Sequence, residues 1–280
     1  MIPQEFEYTA PTSLKETLGL LDGERKVLAG GMTLIPMMKL RLATPAEVVD
    51  IGRVPGLSGI TESGGLIRIG ATATHHAVET SPVVRAHAPL LAATASHIGD
   101  AQVRNMGTMG GSIAHADPAA DYPASLLALE ASVHIVSAQS DRVVPISDYF
   151  VEAFTTALEP GELIVEIQVP AQDVTEGSHY EKLAHPASGF AVVGIAARVQ
   201  KTGGRITLAR IGVTGLSGRA FRARNAEAIL EKGGSVADAV KVLGEGEEPN
   251  ADLYATAEYR LHLARVHAAR ALAAAIARAV

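Results

Sequence analysis

No cysteine occurs among the 280 residues. Disulfides, cysteine-ligated iron–sulfur clusters and thiolate nucleophiles are therefore excluded, and any such centre must belong to another polypeptide. Basic residues are not in excess either: 24 Lys and Arg stand against 30 Asp and Glu, for a net charge of -6. Nucleic acid and anionic membrane both reward a positive surface, so neither is the expected partner. No apolar run approaches the ~20 residues of a membrane span, and the opening MIPQEFEY is not continuously apolar. The expectation is a soluble cytoplasmic protein. Two phosphate signatures are also missing, G-x-G-x-x-G and G-x-x-x-x-G-K-[ST], which sets aside the Rossmann and P-loop readings.

What the chain does have is two glycine-rich turns. In RNMGTMGGSIAHADPAADYPA, from Arg104 to Ala124, Gly107, Gly110 and Gly111 lie beside Thr108 and Ser112. Upstream, in VLAGGMTLIPMMKLR from Val27 to Arg41, an apolar run ends in Gly30-Gly31. Thr33 then stands where an N-cap opens a helix toward Arg41. Glycines let successive amides face one concavity, and helix starts add unpaired N–H groups at the positive end of the dipole. Either turn alone reads equally well as an ordinary connection. Taken as a pair, they are predicted to converge on one pyrophosphate.

The length allows one large or two modest domains. A strand at Phe6–Tyr8 leads to Ser13-Leu14-Lys15-Glu16, a capping box for a helix carrying Leu14, Leu18 and Leu21. Strands are predicted at Val48–Ile51, Leu66–Ile69, Ser132–Val136 and Leu163–Val169, with a helix over Val83–Ala95 broken at Pro89. Pro170–Gly177 reads as a linker and marks the domain boundary. Beyond it come strands at Tyr180–Leu183, Ala191–Gln200 and Arg205–Val213, a hairpin turn at Thr202-Gly203-Gly204, and helices over Phe221–Leu230 and from Tyr254 to the end. Arg260, Arg265, Arg270 and Arg278 are spread around that last helix and read as solvated charges.

The paired turns, with PGELIVEIQVP (Pro160–Pro170), YEKLAHPASGFAVVGIAA (Tyr180–Ala197) and AEYRLHLARV (Ala257–Val266), resemble the flavoprotein subunit of molybdenum hydroxylases. That family includes carbon monoxide dehydrogenase medium subunits and the xanthine dehydrogenase flavin domain. The resemblance runs nearly end to end, with five motifs in the family's order. It implies an α+β fold: a two-subdomain PCMH/VAO-type FAD-binding domain over residues 1–174, with subdomains of about 1–55 and 56–174. A smaller C-terminal domain over residues 175–280, an antiparallel sheet with helices, completes it.

The resemblance also implies site residues. Ala29, Gly30, Gly31, Met32 and Thr33 on the first turn and Thr108, Met109, Gly110, Gly111 and Ser112 on the second match the family's FAD loops. Thr72 and Thr74 match a threonine-rich turn lining the flavin pocket. Asp121 reads from the sequence as an N-cap, and from the family as an acceptor for sugar or ribityl hydroxyls. Ile164 falls where an apolar residue covers the isoalloxazine edge, Lys182 where a cation lies near the pyrimidine edge, and Phe190 where an aromatic residue approaches the ring. His75-His76 reads as capping and solvent exposed, since adjacent side chains do not share a helix face. Three positions depart from common family usage: Met32, Ser112 and Gly189. Met32 stands where many relatives have histidine or another polar residue. More distant flavoenzymes with this loop can bond FAD covalently through a histidine after the glycine pair; with methionine there and cysteine also absent, the expected FAD is noncovalent.

The function implied is electron transfer. This chain's FAD takes electrons from a [2Fe–2S] small subunit, a molybdopterin-binding large subunit performs the hydroxylation, and the flavin passes electrons to an external acceptor. The implied assembly is a dimer of such heterotrimers, with molybdopterin and [2Fe–2S] only on the partners. No residue is named as catalytic or metal-binding. Two other readings are a freestanding flavin-dependent reductase of the same fold and a non-enzymatic module binding a phosphate ligand.

Overall fold

The structure, a computed structural model, describes residues 2–280. The chain begins with a small parallel sheet. β1 (Glu7–Thr9) and β2 (Lys26–Leu28) flank β3 (Glu47–Asp50), and α1 (Leu14–Leu20) and α2 (Leu34–Lys39) make the crossovers. Ser13 opens α1 as expected: its hydroxyl accepts the Glu16 amide at 3.2 Å, while the Glu16 carboxylate accepts the Thr12 amide at 3.0 Å. Such reciprocal bonds satisfy donors that a helix start would otherwise leave unpaired.

The next unit is an antiparallel sheet covered by helices. β4 (Ile60–Ser63) and β5 (Leu66–Gly70) lead into α3 (His75–Thr80), α4 (Pro82–His87), α5 (Pro89–Ser96), α6 (Ala101–Met106), α7 (Met109–His115) and α8 (Tyr122–Ala128). The chain then returns through β6 (Ser132–Val136), β7 (Asp141–Pro145), α9 (Ile146–Tyr149) and the small ribbon β8 (Phe150–Glu152) and β9 (Thr155–Thr156) to β10 (Leu163–Pro170). The strand order is β4-β5-β10-β6-β7. Ile67, Ile69, Val133, Ile135, Ile167 and Val169 alternate along their strands, and each is fully buried against the helices, as one-sided covering of an antiparallel sheet requires. The break at Pro89 divides the predicted helix in two. Ala88 takes φ -144° and ψ 60°, outside the helical region that a following proline disfavours.

The last unit is a four-stranded antiparallel sheet, β11 (Gly177–Ala184), β12 (Ala191–Thr202), β13 (Arg205–Thr214) and β14 (Phe221–Arg222), in that order. α10 (Arg224–Glu231), α11 (Val236–Lys241) and α12 (Ala257–Arg278) cover it. Three expectations change here. Phe221 and Arg222 pair with Val213 and Gly212 as an edge strand, so the helix begins only at Arg224. α11, a short helix that Ser235 caps, was not anticipated. Arg260 is buried rather than solvated: its guanidinium donates to the Val192 carbonyl at 2.7 Å and the Gly215 carbonyl at 3.1 Å, carbonyls at a strand end and turn with room for a donor.

α8 holds the two larger units together. All seven of its residues are buried, as expected of a helix with apolar surface on every side. Its far side rests on the C-terminal sheet so closely that a Cβ on Gly212 would collide with the Ala124 carbonyl.

Candidate functional site

The two glycine turns meet. β2 ends at Leu28, and the chain passes through Ala29, Gly30 and Gly31 into α2; α6 ends at Met106, and the chain passes through Gly107 and Thr108 into α7. At the crossing Gly30 lies against the other turn. A Cβ there would collide with the Met106 carbonyl oxygen and stand 2.8 Å from Gly107 Cα. Gly31 has φ +73°, a conformation that L side chains adopt only at a cost of roughly 1–2 kcal/mol.

The turns differ in what they present. Around the first, the amides of Gly31, Met32, Thr33 and Leu34 have no acceptor among the described residues. Thr33 does not cap: it is in helical conformation and its side chain makes no capping bond, so its hydroxyl is also uncommitted. In the second turn the amides are largely engaged. Met109 N–H donates to the Ala73 carbonyl at 2.9 Å and Gly110 N–H to the Ala71 carbonyl at 2.8 Å, while Thr108 Oγ1 accepts the Gly111 amide at 3.2 Å. The expectation of amides converging from both turns is therefore corrected in part. The first turn supplies open amides, whereas the second is bonded to the turn after β5 and supplies mainly the small residues Thr108, Gly111 and Ser112.

Between the turns runs a cleft of about 520 Å³, within the size range of small-molecule sites. Its wall includes Ala29, Gly30, Gly31, Met32 and Thr33 on one side, Thr108, Gly110, Gly111 and Ser112 on the other, and Asp121, Ile164 and Phe190 further along. Ile164 is buried and Phe190 exposed at the rim. Four predicted residues do not form the wall. Met109 is fully buried in the core. Thr74 caps α3, accepting the Ala77 amide at 3.1 Å. The Thr72 amide donates to the Leu57 carbonyl at 2.8 Å. Lys182 lies behind Asp121.

Asp121 differs from its reading as a cap, since its side chain makes no capping bond. Its carboxylate instead accepts the Tyr180 hydroxyl at 2.6 Å and Lys182 Nζ at 2.9 Å. Lys182 also donates to the His97 carbonyl at 3.0 Å, and both charged side chains are largely buried, at 2% and 5% exposure, with Asp121 still bordering the cleft. Burial pushes the Asp121 carboxyl above its usual range, and the nearby Lys182 ammonium and the Tyr180 hydrogen bond oppose that rise. A carboxylate offers about four lone-pair positions, so Asp121 retains capacity for a hydroxyl in the cleft.

His75 was not among the expected site residues, and its reading as solvent exposed is corrected. It is buried and lines the cleft. A signal existed: His75 and Val78 are both buried in α3, and a spacing of three puts them on one helix face. The ring meets Tyr122 edge-on at 5.3 Å. Burial, reinforced by the Arg104 guanidinium, lowers its pKa to about 4, so the imidazole is neutral near pH 7.

Residues 4–172 match the family described as the FAD binding domain in molybdopterin dehydrogenase, and residues 178–275 match the CO dehydrogenase flavoprotein C-terminal domain. The carbon monoxide dehydrogenase medium chain of Hydrogenophaga pseudoflava is 40% identical over 99% of both chains. The 6-hydroxypseudooxynicotine dehydrogenase complex subunit alpha of Paenarthrobacter nicotinovorans is 37% identical over 100% of this chain and 97% of its own length. Among solved structures, carbon monoxide dehydrogenase from Hydrogenophaga pseudoflava lacking the Mo-pyranopterin moiety superposes with a TM-score of 0.96 at 42% identity, covering 100% of both chains.

Proposed function

The chain belongs to the FAD-binding medium subunits of molybdenum hydroxylases, and from that premise we propose that the cleft between the two glycine turns holds FAD noncovalently. The observation that carries this reading is the contact of Gly30 with Met106 and Gly107 beside a row of unpaired amides. A diphosphate needs donors that approach without intervening Cβ atoms and have no protein acceptor of their own. Gly31 meets both conditions, and the Met32 and Thr33 amides beside it also lack a protein acceptor. Thr108, Gly111 and Ser112 close the opposite side, Asp121 accepts hydroxyls of the ribityl chain or sugar, and Ile164 and Phe190 flank the ring. Thr72, Thr74 and Met109 hold the turns in place from behind, and Lys182 balances the Asp121 charge.

When bound, FAD supplies the two-electron and one-electron redox chemistry; the chain binds it, fixes its orientation and sets its electrostatic surroundings. No acid or base is required of the protein. The partners in this reading are a molybdopterin-binding large subunit and a [2Fe–2S] small subunit, in keeping with a chain that contains no cysteine. Relatives 40% and 37% identical over nearly their whole lengths are named for carbon monoxide and for 6-hydroxypseudooxynicotine. Substrate choice therefore belongs to the large partner, with this chain as a shared electron exit. A dimer of heterotrimers in the cytoplasm, with domains at residues 1–174 and 175–280, completes the proposal.

The test is reconstitution of the full-length chain with FAD, followed by desalting. Retained flavin absorbance near ~450 nm supports the assignment, and a colourless protein refutes it. Purification from the native source should then bring down a cysteine-rich chain and a large pterin-binding chain.

A further inference from the structure

His75 has a place in this cleft that the glycine turns do not explain. Its Nδ1 lies 3.3 Å from the Tyr122 hydroxyl, and Tyr122 is fully buried. Among the described residues that hydroxyl has no other hydrogen-bond partner. If Nδ1 carried the imidazole proton, the tyrosine proton would be buried without an acceptor, at a cost of about 1–3 kcal/mol. The favoured arrangement has Tyr122 donating to Nδ1, which leaves the proton of the neutral ring on Nε2.

Nε2 lies beside the second glycine turn, 2.6 Å from where a Cβ on Gly107 would be. It has no partner among the described residues and is not one of the sealed, unpaired polar atoms of the interior. With His75 in the cleft wall, the Nε2–H bond is therefore reachable from the cleft. The residue's own backbone fixes its position, since the His75 amide donates to the Gly107 carbonyl at 2.9 Å. A side-chain donor thus stands where the second turn's own amides at Met109 and Gly110 are already engaged.

We propose that His75 is a cofactor-binding residue, donating its Nε2–H to an oxygen of the phosphate–ribityl chain of FAD, with Tyr122 positioning it by holding the tautomer. The inference rests on the assignment of FAD to this cleft. His75 binds as a neutral donor, and Tyr122 never touches the cofactor.

The experiment compares FAD dissociation constants of the full-length wild type, His75→Gln, His75→Leu and Tyr122→Phe by flavin fluorescence, with thermal unfolding of each apoprotein alongside. Loss of one hydrogen bond to a polar or charged oxygen predicts about ten- to hundredfold weaker binding for His75→Leu. His75→Gln, which keeps an N–H donor, should recover most of that loss, and Tyr122→Phe should lose a few-fold. In wild-type chain labelled with 15N-histidine, FAD should shift the His75 Nε2–H resonance downfield. Equal affinity of wild type and His75→Leu, or no movement of that resonance, overturns the proposal while leaving the FAD site standing. Equal weakening by Gln and Leu with matching losses of thermal stability also overturns it, as a packing role. Failure of the wild type to bind FAD would instead remove the reading on which the inference rests.

Discussion

Gly30 sits against the chain at Met106 and Gly107, so closely that even a methyl group would collide with the Met106 carbonyl oxygen. Gly30→Ala must therefore push the two turns apart, and overpacking of this kind costs about 1–3 kcal/mol. Because the strain falls on the cleft rather than the core, FAD affinity should drop at least about tenfold while the unfolding transition stays cooperative. Equilibrium titration with FAD and a thermal melt of the same sample check both halves of the expectation.

The buried Lys182–Asp121 pair predicts an asymmetry between single and double substitutions. Lys182→Met leaves a carboxylate enclosed without its cation, which should cost about 3–5 kcal/mol near pH 7. Adding Asp121→Asn should restore part of that stability. The sign with pH follows from burial, which raises the Asp121 carboxyl already and would raise it further once the ammonium is gone. The single variant's deficit should thus grow as pH rises above the ordinary carboxylate range and shrink in acid, where the group is protonated. Urea unfolding of wild type, single and double variants at two pH values provides the measurement.

His75 gives a second pH signature with a different direction. Its pKa is lowered from 6.5 to about 4 in the fold, so between those values the unfolded chain binds the extra proton. The contribution to stability is complete above pH 6.5, declines as pH falls, and is lost by about pH 4, amounting to about 3 kcal/mol. His75→Gln, which cannot titrate, should show a flatter decline over that window than wild type. A pH series of chemical denaturation compares the slopes.

Glu130 joins the two larger units electrostatically. Its carboxylate accepts a hydrogen bond from Arg222 at 2.9 Å and forms ion pairs with Arg210 at 3.1 Å and Arg198 at 4.0 Å. Partial burial raises its pKa, but bonds and charges from Arg222 and Arg210 outweigh that and leave it lowered. The contribution is present above the unfolded pKa and is lost as pH falls through the folded value. With the side chain 44% exposed, Glu130→Gln should cost no more than about 1 kcal/mol. The difference should fade in high salt, as melts with and without added NaCl would reveal.

Met32 stands directly after the glycine pair and is partly exposed at the cleft. Its thioether has no nitrogen nucleophile of the kind a histidine side chain would offer for a bond to the flavin. Acid precipitation of the reconstituted chain should therefore leave all the yellow colour in the supernatant. Flavin that stays with the pellet through a denaturing wash would contradict noncovalent binding.

The amino-acid sequence by itself determined the local elements and the two turns. Alternation along Leu66–Gly70 and Ser132–Val136, the Ser13 cap, and the Gly203-Gly204 hairpin all act over a few neighbouring residues, so their physics is complete within a short window. The absence of cysteine likewise settled what chemistry had to lie elsewhere. Only the tertiary structure decided which polar groups were already engaged. Asp121 reads as a cap until Lys182 and Tyr180 arrive from 61 and 59 residues away. Met109 and Gly110 read as open amides until the carbonyls of Ala73 and Ala71 meet them. His75 and Arg260 read as solvent-exposed until packing buries them. The reason is common to all four cases: burial and hydrogen-bond saturation depend on what approaches from distant parts of the chain, and no local pattern encodes it.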